Sequence, residues 1–292
     1  MPAAPETGPA PTRIVEHEAG DVGWRVVQRE PHGSLGDHVA SFNAYHERGT
    51  GHLVRRELPS GLATMVFNLG ADLGVAFPGE ASETFGAGGA FFSGPGSRYA
   101  TTETRAGQDG AQVMLTALGA RRLLGVPLGD VGDRLIDPID LFGPEARELR
   151  ERLQEANGEE RRIAILAEAV TRRLREASDL PADLVFAMRR LTQTRGRIGI
   201  AALAAELECS RRHLGRRFTR EFGLAPKLFA RLLRFDRAVR ALEADRVASL
   251  AELAVACGYA DQSHLSRDFA EFAGDPPATF ASRRLPEGGF GD

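Results

Sequence analysis

Cysteine is scarce in this 292-residue chain: Cys209 and Cys257 are the only two, and they have no C-x-x-C spacing. That count excludes a disulfide-stapled scaffold and a multi-cysteine zinc site. Two isolated thiols read as small buried residues of a reduced, cytoplasmic protein. Long apolar runs are also missing, and none approaches the roughly 20 residues needed to cross a bilayer, so no membrane partner is expected. Residues 1–11 lack a basic n-region and an apolar core, which predicts a disordered arm over 1–12 and no signal peptide. The turns Gly86-Ala87-Gly88-Gly89 and Gly94-Pro95-Gly96 are not followed by G-K-[ST], which excludes a phosphate loop. Ser93 has Phe91, not Gly, two residues before it and so is not a nucleophile elbow. Five of the seven histidines (His17, His32, His38, His46 and His52) fall early in the chain, yet no H-x-H pair occurs. Scattered surface histidines are expected, with no metal, no cofactor and no enzyme activity.

The two signs of charge are unevenly divided along the chain. The formal net charge is −3, but residues 1–184 hold 19 Arg against 27 acids and residues 185–284 hold 18 Lys and Arg against 11. The two segments therefore carry −8 and +7, and 285–292 adds −2. An acidic part joined to a basic part fits a regulator whose basic part meets phosphates.

Residues 22–116 contain short apolar or alternating runs, Val22–Arg29, Val39–Tyr45, His52–Leu58, Ala63–Leu69, Leu73–Phe77, Ala90–Phe92 and Gln112–Ala117, punctuated by Gly, Pro and Asp. They predict a small barrel or sandwich over 13–118. From Gly119 the period becomes helical, in Ala120–Leu124, Pro144–Ala156 and Glu159–Ala177. A stripe of Leu149, Leu153, Ile163, Leu166, Val170 and Leu174 predicts helix packing within the domain, with dimerisation as the second reading. Residues 119–178 are thus a helical connector, and Ser178-Asp179-Leu180-Pro181 is the predicted linker.

The C-terminal region, 185–284, carries a repeat. His213-Leu214-Gly215-Arg216-Arg217-Phe218 returns 51 residues later as His264-Leu265-Ser266-Arg267-Asp268-Phe269. Each copy follows an apolar stretch rich in alanine and precedes a Pro and then a Phe, Pro226 with Phe229 and Pro277 with Phe280. The preceding stretches align at an offset of 50, so the second unit has a turn one residue longer. Two helix–turn–helix units are predicted, joined by a long helix over Lys227–Ala244, with a capping box at Ser249 and Glu252. Stepping residues at about 100° each puts Leu214, Phe218 and Phe222 on one face and Arg212, Arg216 and Arg220 on the other. Outward guanidinium forks suit guanine O6 and N7 in a major groove. Arg212 and Arg216 are expected to read bases and Arg220 to meet a phosphate. The second unit places Ser263 and Arg267 outward. Residues 189–240 hold 14 basic residues against four acids, and 249–284 hold three against five, so the first unit should supply most of the affinity. Along the joining helix, Arg231, Arg234, Arg237 and Arg240 are expected to divide between phosphates and local acids.

The units at 202–229 (A-L-A…S-x-x-H-L-x-R-x-F…G-x-x-P-x-x-F) and 253–277 (L-A-x-x-x-G-Y-x-D-Q-S-H-L-S-R-x-F…G-x-x-P) resemble the DNA-binding domain of the AraC/XylS transcription regulators. The resemblance implies an α+β protein: an N-terminal small, cupin-like β-barrel with following helices, then an all-α domain of two helix–turn–helix subdomains joined by a long helix. It implies base contacts at Arg212, Gly215, Arg216, Gln262, Ser263, Ser266 and Arg267, and the expected phosphate contacts are Arg220, Arg231 and His264. Gly215 departs from the family pattern, where a longer side chain is common. Asp268 and Glu271 stand where basic or neutral residues are frequent. The implied N-terminal domain senses a ligand or dimerises, and Trp24, Phe42, Tyr45, Met65, Phe67 and Met114 are the expected pocket residues, with ordinary core as the competing account of each. Double-stranded DNA is the expected partner, and a small-molecule effector, a second copy of the chain and RNA polymerase are further candidates. A protein-interaction or ligand-binding module without sequence-specific DNA binding is the alternative. A fused repair methyl-acceptor would need a reactive cysteine, and neither Cys209 nor Cys257 has the setting for one.

Overall fold

The computed structural model describes residues 12–19, 22–49, 51–132, 134–244, 249–283 and 290–291. The arm expected over 1–12 lies outside the described residues except for Thr12, which opens the first strand.

Twelve strands are described: β1 Thr12–Ala19, β2 Val22–Arg29, β3 Val39–Arg48, β4 Leu53–Glu57, β5 Leu62–Asn68, β6 Leu73–Ala76, β7 Glu83–Phe85, β8 Ala90–Ser93, β9 Ala100–Thr104, β10 Asp109–Thr116, β11 Leu135–Ile136 and β12 Phe290–Gly291. They form two antiparallel sheets, in the orders β1-β2-β3-β10-β5-β8-β11 and β12-β4-β9-β6-β7. Among the described residues no strand is shared between them, so of the expected barrel or sandwich the unit takes the two-sheet form, with a cavity between. The seven runs expected from alternation all correspond to strands. Those missed, such as β9 with its Ala100-Thr101-Thr102-Glu103-Thr104, lack apolar alternation and are held by pairing to β4 and β6.

Register separates the two faces of the larger sheet. Phe42, Val113, Met65 and Phe92 form one row across β3, β10, β5 and β8. All four are buried in a single core with Leu153, Ile163, Leu166, Val170 and Leu174. Those last five lie on α4 (Pro144–Glu155) and α5 (Glu159–Glu176), which follow α1 (Ala117–Leu124), α2 (Leu128–Val131) and α3 (Pro138–Phe142). The apolar stripe is therefore spent on the sheet. Within 119–178, α5 packs on β3 and β10 and closes the core of the N-terminal unit. Each of these fully buried Phe, Leu or Ile side chains contributes about 1.5–3 kcal/mol relative to exposure.

The C-terminal region is helical: α6 Ala182–Gln193, α7 Ile200–Glu206, α8 Arg211–Phe222, α9 Pro226–Glu243, α10 Leu250–Cys257, α11 Gln262–Phe272 and α12 Pro277–Ser282. The two units are α7–α8 and α10–α11, with α9 between. The repeated motif residues Leu214, Phe218, Leu265 and Phe269 sit in one core with Phe222, Phe229, Phe235, Phe272 and Phe280. Phe218 meets Phe222 at 4.7 Å, and Phe235 meets Phe269 at 4.9 Å, both edge to face. Cys257 is buried and Cys209 half-buried. Two matching backbone bonds, Cys209 N–H to Ala204 and Tyr259 N–H to Ala254, place the extra residue of the second turn at Ala260.

The two parts share a boundary. Leu58, Ala117 and Leu118 join the helical core. Gly61 is needed against α9, since a Cβ there would lie 2.6 Å from the Phe229 ring. Gly129 lies against the α8 backbone, where a Cβ would stand 2.8 Å from the Arg220 carbonyl oxygen. Arg121 pairs with Glu221 at 2.7 Å and Arg189 with Asp37 at 2.7 Å.

Candidate nucleic-acid interface and inner cavity

Ser210 starts α8: its side chain accepts from the His213 N–H at 3.2 Å, and Gly223 ends the helix at φ 76°. Leu214, Phe218 and Phe222 face inward, which leaves Arg211, Arg212, Arg216 and Arg220 exposed. Among the described residues none of these four guanidinium groups has an ion-pair partner. Arg217, one position round, is turned to Asp183 of α6 and holds that carboxyl below its ordinary value. Gly215 leaves a gap on this face, since a Cβ there would meet nothing within 4 Å.

Asp261 caps α11, accepting from the His264 N–H at 2.7 Å. Gln262, Ser263 and Arg267 are exposed and Ser266 is half-buried. The Arg267 guanidinium donates to the Ser263 carbonyl at 3.3 Å. His264 is half-buried, its ring edge-on to Tyr259 at 5.3 Å.

Arg231 is corrected as a phosphate ligand. Its guanidinium donates to Asp268 at 2.7 Å and to Glu271 at 2.5 Å, and lies over the Phe272 ring at 4.7 Å. Its bonds to Glu271 and Asp268 raise its value further, and they use the donors that a phosphate would need. Asp268 is only 1% exposed and Tyr259 is buried beside it. Of the two acids, Asp268 is thus buried off the outward face, and Glu271, though exposed, shares the same cation from α9. Sequence reasoning missed this because the partners are 37 and 40 residues apart. It also passed over Arg211, which its position beside the cap marks as outward.

A cavity of about 1020 Å³ lies between the two sheets. Trp24, Tyr45 and Met114 line it. Phe42, Met65 and Phe67 do not: they are corrected to the helix-facing core, because successive strand residues alternate faces. Their neighbours Ser41, Asn43, Thr64 and Val66 line the cavity instead. Burial holds the Tyr45 phenol protonated, and its ring crosses Gly110, where a Cβ would come within 2.5 Å of the hydroxyl. The N-terminal histidines are dispersed, with His17 on Trp24, His38 against Arg122 at 2.9 Å, and His52 against Glu103 at 2.9 Å. Among the described residues no group of three His, Cys, Asp or Glu forms a metal site, and no helix is long and apolar enough to cross a membrane.

Strand β4 has two faces. Arg55 and Glu57 line the cavity, while Arg56 between them donates to the Ala273 carbonyl at 2.5 Å and to Asp275 at 2.6 Å, just past α11.

Residues 203–283 match the family model described as a helix-turn-helix domain. No curated protein matches the sequence. Among solved structures, ToxT from Vibrio cholerae is similar at 14% identity over 82% of this chain and 97% of that one, with a TM-score of 0.46. The DNA-binding domain of AdpA, solved with a target DNA, is 27% identical over 35% of this chain and 92% of its own, at a TM-score of 0.33. The AraC-like transcriptional activator CuxR is 14% identical, covering 80% and 87%, at 0.31. Residues 203–283 are a helix-turn-helix domain, the stretch that holds both units of the repeat.

Proposed function

We propose that one chain reads two successive major-groove segments, with α8 entering the first and α11 the second. The observation that carries this reading is the exposed, unpaired set Arg211, Arg212, Arg216 and Arg220 on a helix whose opposite face is buried. Arg212 and Arg216 read bases, with Gly215 between them leaving room and no contact of its own. Gln262, Ser263, Ser266 and Arg267 read the second segment. Arg220, Arg211 and His264 meet phosphates. The 18 residues of α9 span roughly 27 Å at 1.5 Å each, which with the thickness of the flanking helices suits one turn of DNA.

The N-terminal unit, 12–177 by its core, senses a small molecule in the inner cavity. Strand β4 supports this role, because it offers alternate residues to the cavity and to the end of the second unit. A second copy of the chain and RNA polymerase are further partners on this reading, and the compartment is the cytoplasm.

The test is selection of bound sites from random duplex DNA, followed by footprinting and gel shifts at two salt concentrations. Expected are two protected major-groove segments about 34 Å apart and a log–log salt slope of about −0.9 per phosphate contacted. Sequence-indifferent binding would remove the specific-reading claim and favour the interaction-module alternative.

A further inference from the structure

Helices α8 and α11 present their polar faces outward, and the N-terminal unit holds each of them at its C-terminal end. At the end of α8, Leu128 of α2 lies beside Gly223. Gly129, next in α2, sits so close to the helix backbone that a Cβ would stand 2.8 Å from the Arg220 carbonyl oxygen and 3.1 Å from that of Thr219. Arg121 of α1 donates to Glu221 at 2.7 Å, both residues being half-buried. Just past α11, Arg56 of β4 donates to the Ala273 carbonyl at 2.5 Å and to Asp275 at 2.6 Å, and lies over the Tyr99 ring at 4.8 Å. That ring fills the space beside Gly274, where φ is 78° and a Cβ would come within 2.9 Å of it. Arg56 is 8% exposed, so this pair is largely out of water, and removing one partner of such a pair strands the other.

The two reading helices share little packing of their own. Helix α8 packs on α1, α2, α7 and α9, and α11 packs on α9, α10 and α12. Within the C-terminal region their mutual orientation rests on α9 and on an exposed tie from Arg197 to the Ala256 carbonyl at 2.7 Å. The holds from α1, α2 and β4 add a second connection, through a unit with its own core. Two connections between the same pair of helices oppose a relative twist that one joining helix permits. Twist matters to DNA reading, because one extra base pair between two segments moves one of them by about 3.4 Å and turns it by about 34–36°.

We propose that Arg56 and Arg121 determine the spacing that the chain accepts between its two DNA segments. They are positioning residues, acting through α11 and α8 and not by touching DNA. The hold on α8 is backbone packing with a half-buried ion pair, whereas that on α11 is a buried pair, so Arg56 carries the larger share. The proposal rests on the reading of two successive major-groove segments by one chain.

The experiment uses the full chain with a duplex holding both selected segments, the same duplex with one or two base pairs inserted between them, and duplexes holding either segment alone. The parent should lose about tenfold or more in affinity on the first insertion, since the contacts to one segment fall out of register. Arg56→Met should bind the original and the inserted spacing almost equally, and Arg121→Met should relax the preference less. Affinity for each single segment should stay at the parent's value. Arg56→Lys keeps a cation beside Asp275 and should restore most of the discrimination. A loss of stability alone would lower the melt without changing the ratio between spacings. Asp275→Asn and Glu221→Gln weaken the same two ties from the other side, and carry the test if an arginine variant does not fold. Folded variants that still reject the insertion as sharply as the parent would overturn the proposal and leave spacing to α9. If the parent itself accepts every spacing, or protects a single segment, the two-segment reading falls and the brace falls with it.

Discussion

In the first helix–turn–helix unit the left-handed position of the turn is filled by Glu208 at φ 50°, and in the second by Gly258 at φ 86°. The first recognition helix presents four unpaired arginines, Arg211, Arg212, Arg216 and Arg220, and the second presents Arg267 alone. Anchoring differs in the reverse sense. Helix α8 is tied to α6 by an exposed pair, Arg217 with Asp183, whereas α11 is tied to α9 through an almost fully buried carboxylate, Asp268, held by Arg231. One backbone plan thus carries two divisions of labour. The first unit keeps its cations for a ligand and tolerates a strained turn. The second has an unstrained turn and spends its nearest arginine on its own framework.

The largest expected effect tests that anchor. Arg231→Leu leaves Asp268 buried without its cation, which costs about 3–5 kcal/mol in comparable pairs. A thermal or urea melt should show a loss of that order, and adding Asp268→Leu should recover most of it. If Arg231 instead served DNA, the folded variant's salt slope would flatten by about 0.9 with little loss of stability. Next in size is the contest between the reading faces. Arg216→Ala should weaken specific binding by about 1–3 kcal/mol, roughly 5- to 150-fold, if its fork reads a guanine. Arg267→Ala should cost less, because that guanidinium is already engaged with the Ser263 carbonyl. A larger loss for Arg267→Ala in the same gel shift would invert the proposed ordering.

What could be read in the chain beforehand follows the range of the interactions. The repeat, the cap at Ser249, the extra turn residue and the inward Leu and Phe positions depend on neighbours within a few residues, and these are legible. The strands with apolar alternation are legible too, and so is their facing: Phe42 and Tyr45, three apart on β3, lie on opposite faces, one in the helix-covered core and one on the cavity. Two-sheet closure, the seating of α5 on β3, and the capture of Arg231 by Asp268 join residues far apart in sequence, so no local period marks them. The charge count for 249–284 likewise carries no sign that Arg231 of the joining helix pairs with two of its five acids.

The turn itself gives a smaller effect. A non-glycine residue in the left-handed region costs roughly 1–2 kcal/mol, partly offset by the greater freedom of glycine in the unfolded chain. Glu208→Gly should therefore stabilise the full chain by about 0.5–1 kcal/mol and leave DNA affinity unchanged. An unchanged or lowered melting temperature would mean that Glu208 makes compensating contacts, and the two turns would then be equivalent in energy.

The smallest effect belongs to the Arg217–Asp183 tie, and pH resolves it. The hydrogen bond from Arg217 lowers the folded-state value of the Asp183 carboxyl below its ordinary 3.8. A lowered carboxylate value stabilises the fold above the unfolded value, and that stability is lost as pH falls through the folded one. Both partners are about a third or more exposed, so solvent screening limits the pair to about 0.2–1 kcal/mol. Asp183→Asn should therefore melt slightly below the parent at pH 7, and the gap should close below pH 3.8 as the parent carboxyl also becomes neutral. A gap as wide as that of Arg231→Leu, or one that persists to the lowest pH at which the chain is folded, would erase the contrast between a lightly held first recognition helix and a firmly held second one.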